Sequence, residues 1–157
     1  MTAVRVATVA DADGCVGVLA RLPDFFTPDT HAGVSEGLAN HRGWVAVEAD
    51  AVVGFLLAQT RYPEAAEITY AAVMPERRGS GIGTALVTRC LTDLSNAGVA
   101  VVEVKTLDAT AGYEPYVATR AFWERRGFRQ IDCIDPLPGW QPGNPSAIYV
   151  AAISLTA

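Results

Sequence analysis

The chain has 157 residues, half of them hydrophobic and 18% charged, with a formal net charge of −5. That length suits one domain, and the apolar fraction supplies a sizeable core and excludes a disordered chain. An acidic balance excludes the broad basic face of a general nucleic-acid binder, but it leaves room for a local anion site and a cationic ligand.

Met1-Thr2-Ala3-Val4-Arg5-Val6 lacks the charged start and apolar core of a signal peptide. No apolar run approaches the ~20 residues that span a bilayer. The expectation is a cytoplasmic protein with no membrane partner and no nucleic-acid partner. Cys15, Cys90 and Cys133 are scattered, with no CxxC and no nearby histidine pair. This excludes a disulfide framework or zinc site and predicts reduced, mostly buried thiols and no metal.

In chain order, Val4 to Thr8 alternates as a strand. Asp11 to Leu22 is a short helix with Ala12, Val16 and Leu19 on one face, ended by Pro23. Phe25-Phe26 and Thr27-Pro28-Asp29 form a loop, and Pro28 suits the first turn of a helix reaching Asn40. Gly43–Glu48 and Ala51–Tyr62 read as a hairpin around Ala49-Asp50. Pro63 separates it from the strand Ala66–Met74. From Ile82 to Asn96, apolar residues recur every four positions at Ile82, Leu86, Cys90 and Leu94, with Ala85, Val87 and Leu91 widening the stripe. Gly98 ends that helix. Val99–Thr106, almost continuously apolar and β-branched, predicts a strand covered on both faces. After the loop 108–115, Tyr116–Arg126 is a helix with Val117, Ala121 and Phe122 inward, stopped by Gly127. A strand to Ile134, a Pro- and Gly-rich loop over 135–146 and a last strand Ala147–Leu155 complete the chain. The order β-α-α-β-β-β-α-β-α-β-β implies a mixed, mostly antiparallel sheet of about seven strands with helices on both faces, as a single domain over 1–157.

The most informative stretch is Val73-Met74-Pro75-Glu76-Arg77-Arg78-Gly79-Ser80-Gly81-Ile82-Gly83-Thr84. Alternating glycines let a turn approach a ligand closely, and the turn opens onto a helix N-terminus whose free N–H groups and dipole favour a phosphate. A Walker loop is excluded because no lysine follows Gly83. The G-x-G-x-G spacing also departs from the G-x-G-x-x-G of dinucleotide folds.

Arg78-Gly79-Ser80-Gly81-Ile82-Gly83 resembles the coenzyme-A site of the GNAT-type N-acetyltransferases, whose fingerprint is Gln/Arg-x-x-Gly-x-Gly/Ala; the lead-in at Val73 and Pro75-Glu76 fits as well. Ala118, then Ala121-Phe122-Trp123-Glu124-Arg125-Arg126-Gly127-Phe128, is similar to the family's second motif, Ala-x-x-Phe-Tyr-x-x-x-Gly-Phe. The resemblance covers essentially the whole chain. It implies a fold with a splayed sheet and acetyl-CoA as co-substrate. The diphosphate would be held by backbone N–H groups of Arg78, Gly79, Ser80, Gly81, Ile82, Gly83 and Thr84. The pantetheine arm would lie along Ala72, Val73 and Met74.

Acetyl transfer to an amine requires a base, because an alkylammonium has a pKa of about 10.4. Glu67 is the candidate. It lies six residues before Val73, roughly 20 Å at about 3.3 Å per residue, comparable to an extended pantetheine arm. The other reading is an ordinary exposed residue at a strand edge. Where many relatives carry a tyrosine that protonates the leaving thiolate, this chain has Trp123, which can shape the thioester pocket but is no acid. Tyr116, two helical turns back, is the substitute, with Tyr113 behind it. Phe25 and Phe26 read as acceptor-site lid or as core, and Trp140 as acceptor wall or loop structure. No activated nucleophile is evident, since Cys90 falls in the apolar stripe, so direct transfer in a ternary complex is expected. The acceptor is a small-molecule or peptide amine, and the apolar final strands would suit a homodimer. The rival reading is a non-catalytic acyl-CoA-binding sensor or interaction domain.

Overall fold

The computed structural model describes residues 1–153. One sheet contains β1 (Ala3–Val6), β2 (Arg42–Glu48), β3 (Ala51–Tyr62), β4 (Ala65–Val73), β5 (Val101–Leu107), β6 (Arg129–Ile134) and β7 (Ser146–Ala152). Their spatial order is β1-β2-β3-β4-β5-β7-β6. Neighbours are antiparallel throughout, except that β4 and β5 run parallel. A parallel neighbour needs a long crossover, and α3 (Ile82–Asn96) supplies it. Ser154 and Leu155, the end of the expected last strand, lie outside the described residues.

Helices cover both faces. On one, Cys15, Val18 and Leu19 of α1 (Ala12–Ala20) and Val34 and Leu38 of α2 (Asp29–Asn40) pack with Val45, Phe55 and Leu57. On the other, Leu86, Cys90 and Leu94 of α3 and Trp123 of α4 (Tyr116–Arg125) pack with Trp44, Leu56, Ile68 and Val102. Trp44 is wholly buried, and its indole N–H donates to Asp93 Oδ2 at 2.8 Å, tying the sheet to α3. The hairpin turn forms at Ala49 and Asp50, whose φ angles of +47° and +64° match the right-handed twist of the paired strands.

The element order expected from the sequence is the one found, while several side chains face differently. In α1 the buried residues are Cys15, Val18 and Leu19. Of the expected face Leu19 is buried and Ala12 packs half-buried against the same core, whereas Val16 is half-buried and outside it, the helix starting only after a 3-10 turn at Val9–Asp11. Ala85 is exposed, and Val117 is 55% exposed because α4 presents Trp123 to the core instead. β5 is not covered on both faces. Val102 and Val104 are buried, whereas Val101 is exposed and Glu103 and Lys105 are half-exposed. α1 and α2 pack over β2, β3 and β4, leaving that side of β5 open to charged side chains.

Asp108 fixes the end of β5. Its buried carboxylate accepts the Thr110 hydroxyl at 2.7 Å and amide at 3.0 Å, and Gln130 Nε2 of β6 at 2.7 Å. The Thr110 hydroxyl, then its amide, hold the carboxyl down at about 2. A depressed acid contributes stability above its unfolded value of about 3.9 and loses it as pH falls through the folded one. Asp108→Asn should therefore destabilise by about 1–3 kcal/mol at pH 7 in urea denaturation, with the gap to wild type shrinking between pH 4 and pH 2.

Candidate functional site

The site begins with one extra residue. Leu57 pairs with Tyr70 and Ala58 with Ile68, so Thr69 of β4 is a bulge opposite β3. A bulge bends its strand and increases the local twist. The parallel ladder stops at that point. It runs from Ala65↔Val101 to Ile68↔Val104, although β4 continues to Val73 and β5 to Leu107. Past Thr69 the two strands part. Met74 N–H is bonded to the Val53 carbonyl at 2.9 Å. Strand alternation then directs both main-chain groups of Val73 and Ala71 into the gap.

The gap widens into a cavity of about 600 Å³ between β4, α4, the start of α3 and the α1–α2 connection. That volume is typical of small-molecule sites. Five cationic side chains line it (Arg77, Arg78, Lys105, Arg125 and Arg126) and no aspartate or glutamate does. In a chain of net charge −5 this is a marked local concentration of positive charge.

At one end sits the glycine turn. A 3-10 turn at Pro75–Arg77 leads into Gly79 and Gly81, whose φ values of +77° and +87° demand residues without a Cβ. The Ser80 hydroxyl donates to the Arg77 carbonyl. The first intrahelical bond of α3 runs from Ala85 N–H to the Gly81 carbonyl. The amides of Ile82, Gly83 and Thr84 thus have no partner within the helix and lie at its positive end. Gly83 answers a different constraint, because a Cβ there would stand 2.9 Å from Phe122 Cε1. Of the two arginines before the turn, Arg77 is engaged with Glu48 at 2.6 Å. The Arg78 guanidinium lies 4.8 Å over the Phe25 ring, and no carboxylate among the described residues pairs with it.

Glu67 is not an exposed edge residue. It is 6% exposed, takes Arg61 on Oε2 and the Lys105 ammonium on Oε1 at 3.1 Å, and does not line the cavity. Lys105 also reaches Glu103 at 3.1 Å, and its two carboxylate partners raise its pKa against the opposing effect of burial. Tyr116 lines the cavity; its hydroxyl donates to the Phe25 carbonyl at 3.2 Å, and burial, then Tyr113, pushes its pKa up. Tyr113 donates to the Asp24 carbonyl at 2.9 Å. Trp123 lines the inner wall, edge-on to Phe122 and Phe128 with centroids 5.1 and 5.2 Å away.

Phe25 and Phe26 both line the cavity, and the Phe25 ring lies between Arg78 and Tyr116. Trp140, half-buried in the β6–β7 loop, does not line it. Ala72, Val73 and residues 78, 79 and 81–84 line the cavity together, whereas Met74 and Ser80 do not.

Many lining residues are not among the sequence candidates, Thr69, Tyr70, Lys105 and Arg126 being four of them. Thr69, Tyr70 and Lys105 are brought in by the bulge and by the parallel register, neither of which leaves a local trace. Arg126 follows from spacing, because it lies four residues after Phe122 and so shares its face of the helix.

The thiols of Cys15 and Cys90 are buried and pushed up to about 12, chiefly by burial, while Cys133 is exposed. Among the described residues no group of three or more His, Cys, Asp or Glu side chains could hold a metal ion, and no helix is long and apolar enough to cross a membrane.

Gly83→Ala should lower stability by about 1–3 kcal/mol in urea denaturation through overpacking against Phe122, and a second change, Phe122→Leu, should restore part of that loss. Gly81→Ala should cost about 1–2 kcal/mol with no such rescue, because its origin is the left-handed backbone.

No curated protein matches the chain. The family model described as Acetyltransferase (GNAT) family matches residues 19–128. Among solved structures, a protein from Desulfovibrio desulfuricans assigned to that family superimposes with a TM-score of 0.86 at 23% identity, covering 98% of this chain and 100% of its own. The ribosomal-protein-S18-alanine N-acetyltransferase of Escherichia coli gives 0.78 at 19% identity, covering 100% and 97%. An aminoglycoside 6'-N-acetyltransferase complexed with coenzyme A gives 0.74 at 20% identity, covering 98% and 99%.

Proposed function

The chain belongs to the GNAT acetyltransferase family, and from that premise we propose that it transfers the acetyl group of acetyl-CoA to a primary amine by direct attack, with both substrates bound together. The observation that carries the reading is the cation-lined cavity, which joins a turn of unpaired amides to a strand edge with open main-chain groups. A nucleotide with several phosphates and an amide-bearing arm fits that combination. When bound, acetyl-CoA supplies a thioester carbonyl open to an amine and a sulfur able to leave.

The amides of Gly79 to Thr84 and the Arg78 guanidinium hold the diphosphate, while the Arg78 amide is engaged by the Pro75 carbonyl at 3.3 Å. Val73 and Ala71 offer their N–H and C=O groups to the arm as a further strand would. Ala72 forms the adjoining wall. Met74 contributes position only, its amide being engaged by Val53. Trp123 packs beside the sulfur and keeps water out.

Tyr116 is the donor to the leaving sulfur. Its phenol is protonated at neutral pH, as one with the ordinary value of about 10 already is, and its present acceptor is only a carbonyl, which it can exchange for the sulfur. Glu67 takes the proton of the incoming ammonium. It stands outside the cavity lining, so the proton reaches it through water. Arg61 and Lys105 fix the orientation of that carboxylate. Phe25 and Phe26 bound the acceptor end, with Trp140 on the loop beyond. The buried thiols of Cys15 and Cys90, pushed up to about 12, do not line the cavity, which supports direct attack over an acyl-enzyme.

Acceptors to try are aminoglycosides, polyamines and peptides with free N-termini or lysines. Release of free thiol from acetyl-CoA should depend on one of these amines. Tight coenzyme-A uptake with no turnover on any amine, even at high pH, would instead indicate a sensor. Glu67→Gln should lower kcat/KM by about 10–100-fold at pH 7, with the deficit narrowing above pH 9 as more acceptor becomes neutral. Full activity of that variant at pH 7 would remove Glu67 from the role of base. Tyr116→Phe should reduce kcat by about tenfold while leaving KM near its original value.

A further inference from the structure

Arg126 is the cavity-lining cation that carries a buried nitrogen without a hydrogen-bond partner. It follows the last residue of α4, and its guanidinium lies 3.8 Å over the Phe122 ring. One terminal nitrogen donates to the Phe122 carbonyl at 3.0 Å and the other to the Thr84 hydroxyl. The remaining nitrogen, Nε, is buried without a hydrogen-bond partner. No carboxylate among the described residues pairs with this side chain. Burial and the adjacent Arg125 push its pKa below the usual guanidinium value, as expected for a cation lacking a counter-charge.

Capping the C-terminus of α4 explains the bond to the Phe122 carbonyl, but not the rest. A cap needs neither contact with α3 nor a buried orphan nitrogen. Thr84 is the third residue of α3, so its bond carries the guanidinium over the first turn, where the amides of Ile82, Gly83 and Thr84 have no partner within the helix. The stack on Phe122 fixes the plane of the fork. Phe122 is in turn held against Gly83, where a Cβ would stand 2.9 Å from its ring. The result is a rigid, uncompensated cation aimed at an anion site from the wall opposite β4.

Resting on the coenzyme-A reading of the cavity, we propose that Arg126 is a direct phosphate ligand of the bound nucleotide, clamping it from α4 while the glycine turn and Arg78 hold it from the other side. A phosphate oxygen would satisfy the guanidinium and neutralise a charge that now has no partner. Coenzyme A carries such oxygens both on its diphosphate and on its 3′-phosphate, and the same chemistry serves either.

Calorimetric titration of wild type and Arg126→Gln with coenzyme A, 3′-dephospho-coenzyme A and phosphate-free pantetheine tests the assignment without reference to turnover. The variant should bind coenzyme A about 10–100-fold more weakly, with pantetheine binding unchanged. A loss that persists with the dephospho ligand assigns the diphosphate, and a loss confined to coenzyme A assigns the 3′-phosphate. Arg126→Lys, keeping the charge but not the fork, should recover part of the affinity. Equal affinity of wild type and Arg126→Gln for coenzyme A overturns the proposal. A loss that extends equally to pantetheine also overturns it, since it would trace to the Phe122 wall. Failure of the wild-type protein to take up coenzyme A at all would strike the reading of the cavity itself, a result distinct from either.

Discussion

Everything at the centre of this molecule follows from one unpaired residue in a strand. Thr69 bulges from β4 toward neither neighbour's register, and the parallel ladder to β5 ends one residue earlier, at Ile68. Without that interruption the pairing would continue to the end of both strands and the sheet would close. Its consequence is a pair of open main-chain edges inside a well-packed sheet, a condition ordinarily too costly to keep unless something else satisfies those groups. The opening lies beside the crossover into α3, so the same parallel step that leaves the edges free also delivers a helix N-terminus to their end.

Charge placement reinforces the geometry. Carboxylates are drawn away from the opening. Glu48 engages Arg77, Glu67 and Glu103 share Lys105, and Glu76 engages Arg21, so acid is used to orient cations at the rim and does not face the interior. Arg78, Arg125 and Arg126 are left without carboxylate partners among the described residues. A net acidic chain can therefore hold a focused positive site, since screening confines distant charges to a weak background. The α1–α2 connection lies across this site. Tyr113 and Tyr116 grip the carbonyls of Asp24 and Phe25, and Arg78 stacks on the Phe25 ring. The side chain assigned to the anion thus also holds the connection on which the acceptor end depends.

What could be read from the sequence was local. Gly79, Gly81, Gly98 and Gly127 all adopt positive φ, as their positions at helix ends imply, and the stripe of Ile82, Leu86, Cys90 and Leu94 is buried as its spacing requires. What could not be read was relational. The cations on Glu67 come from a neighbouring hairpin arm and from a strand 38 residues further on, and only the register of the folded sheet brings them together. Thr69 carries no glycine or proline to announce a bulge. The apolar run in β5 implied two covered faces, but how far α1 and α2 extend across the sheet decided that only one is covered. Val117 misled for a similar reason, because the inward side of α4 is set by where Trp123 docks and not by the first apolar residue of the helix.

The three sulfurs have a practical consequence. Cys15 and Cys90 are sealed in opposite halves of the interior, which leaves Cys133 as the one thiol a reagent can meet. It lies on the outermost strand, with β7 and β5 between it and the opening. The unmodified polypeptide therefore offers a single labelling handle, and a fluorophore attached there under alkaline conditions would report on tumbling and self-association.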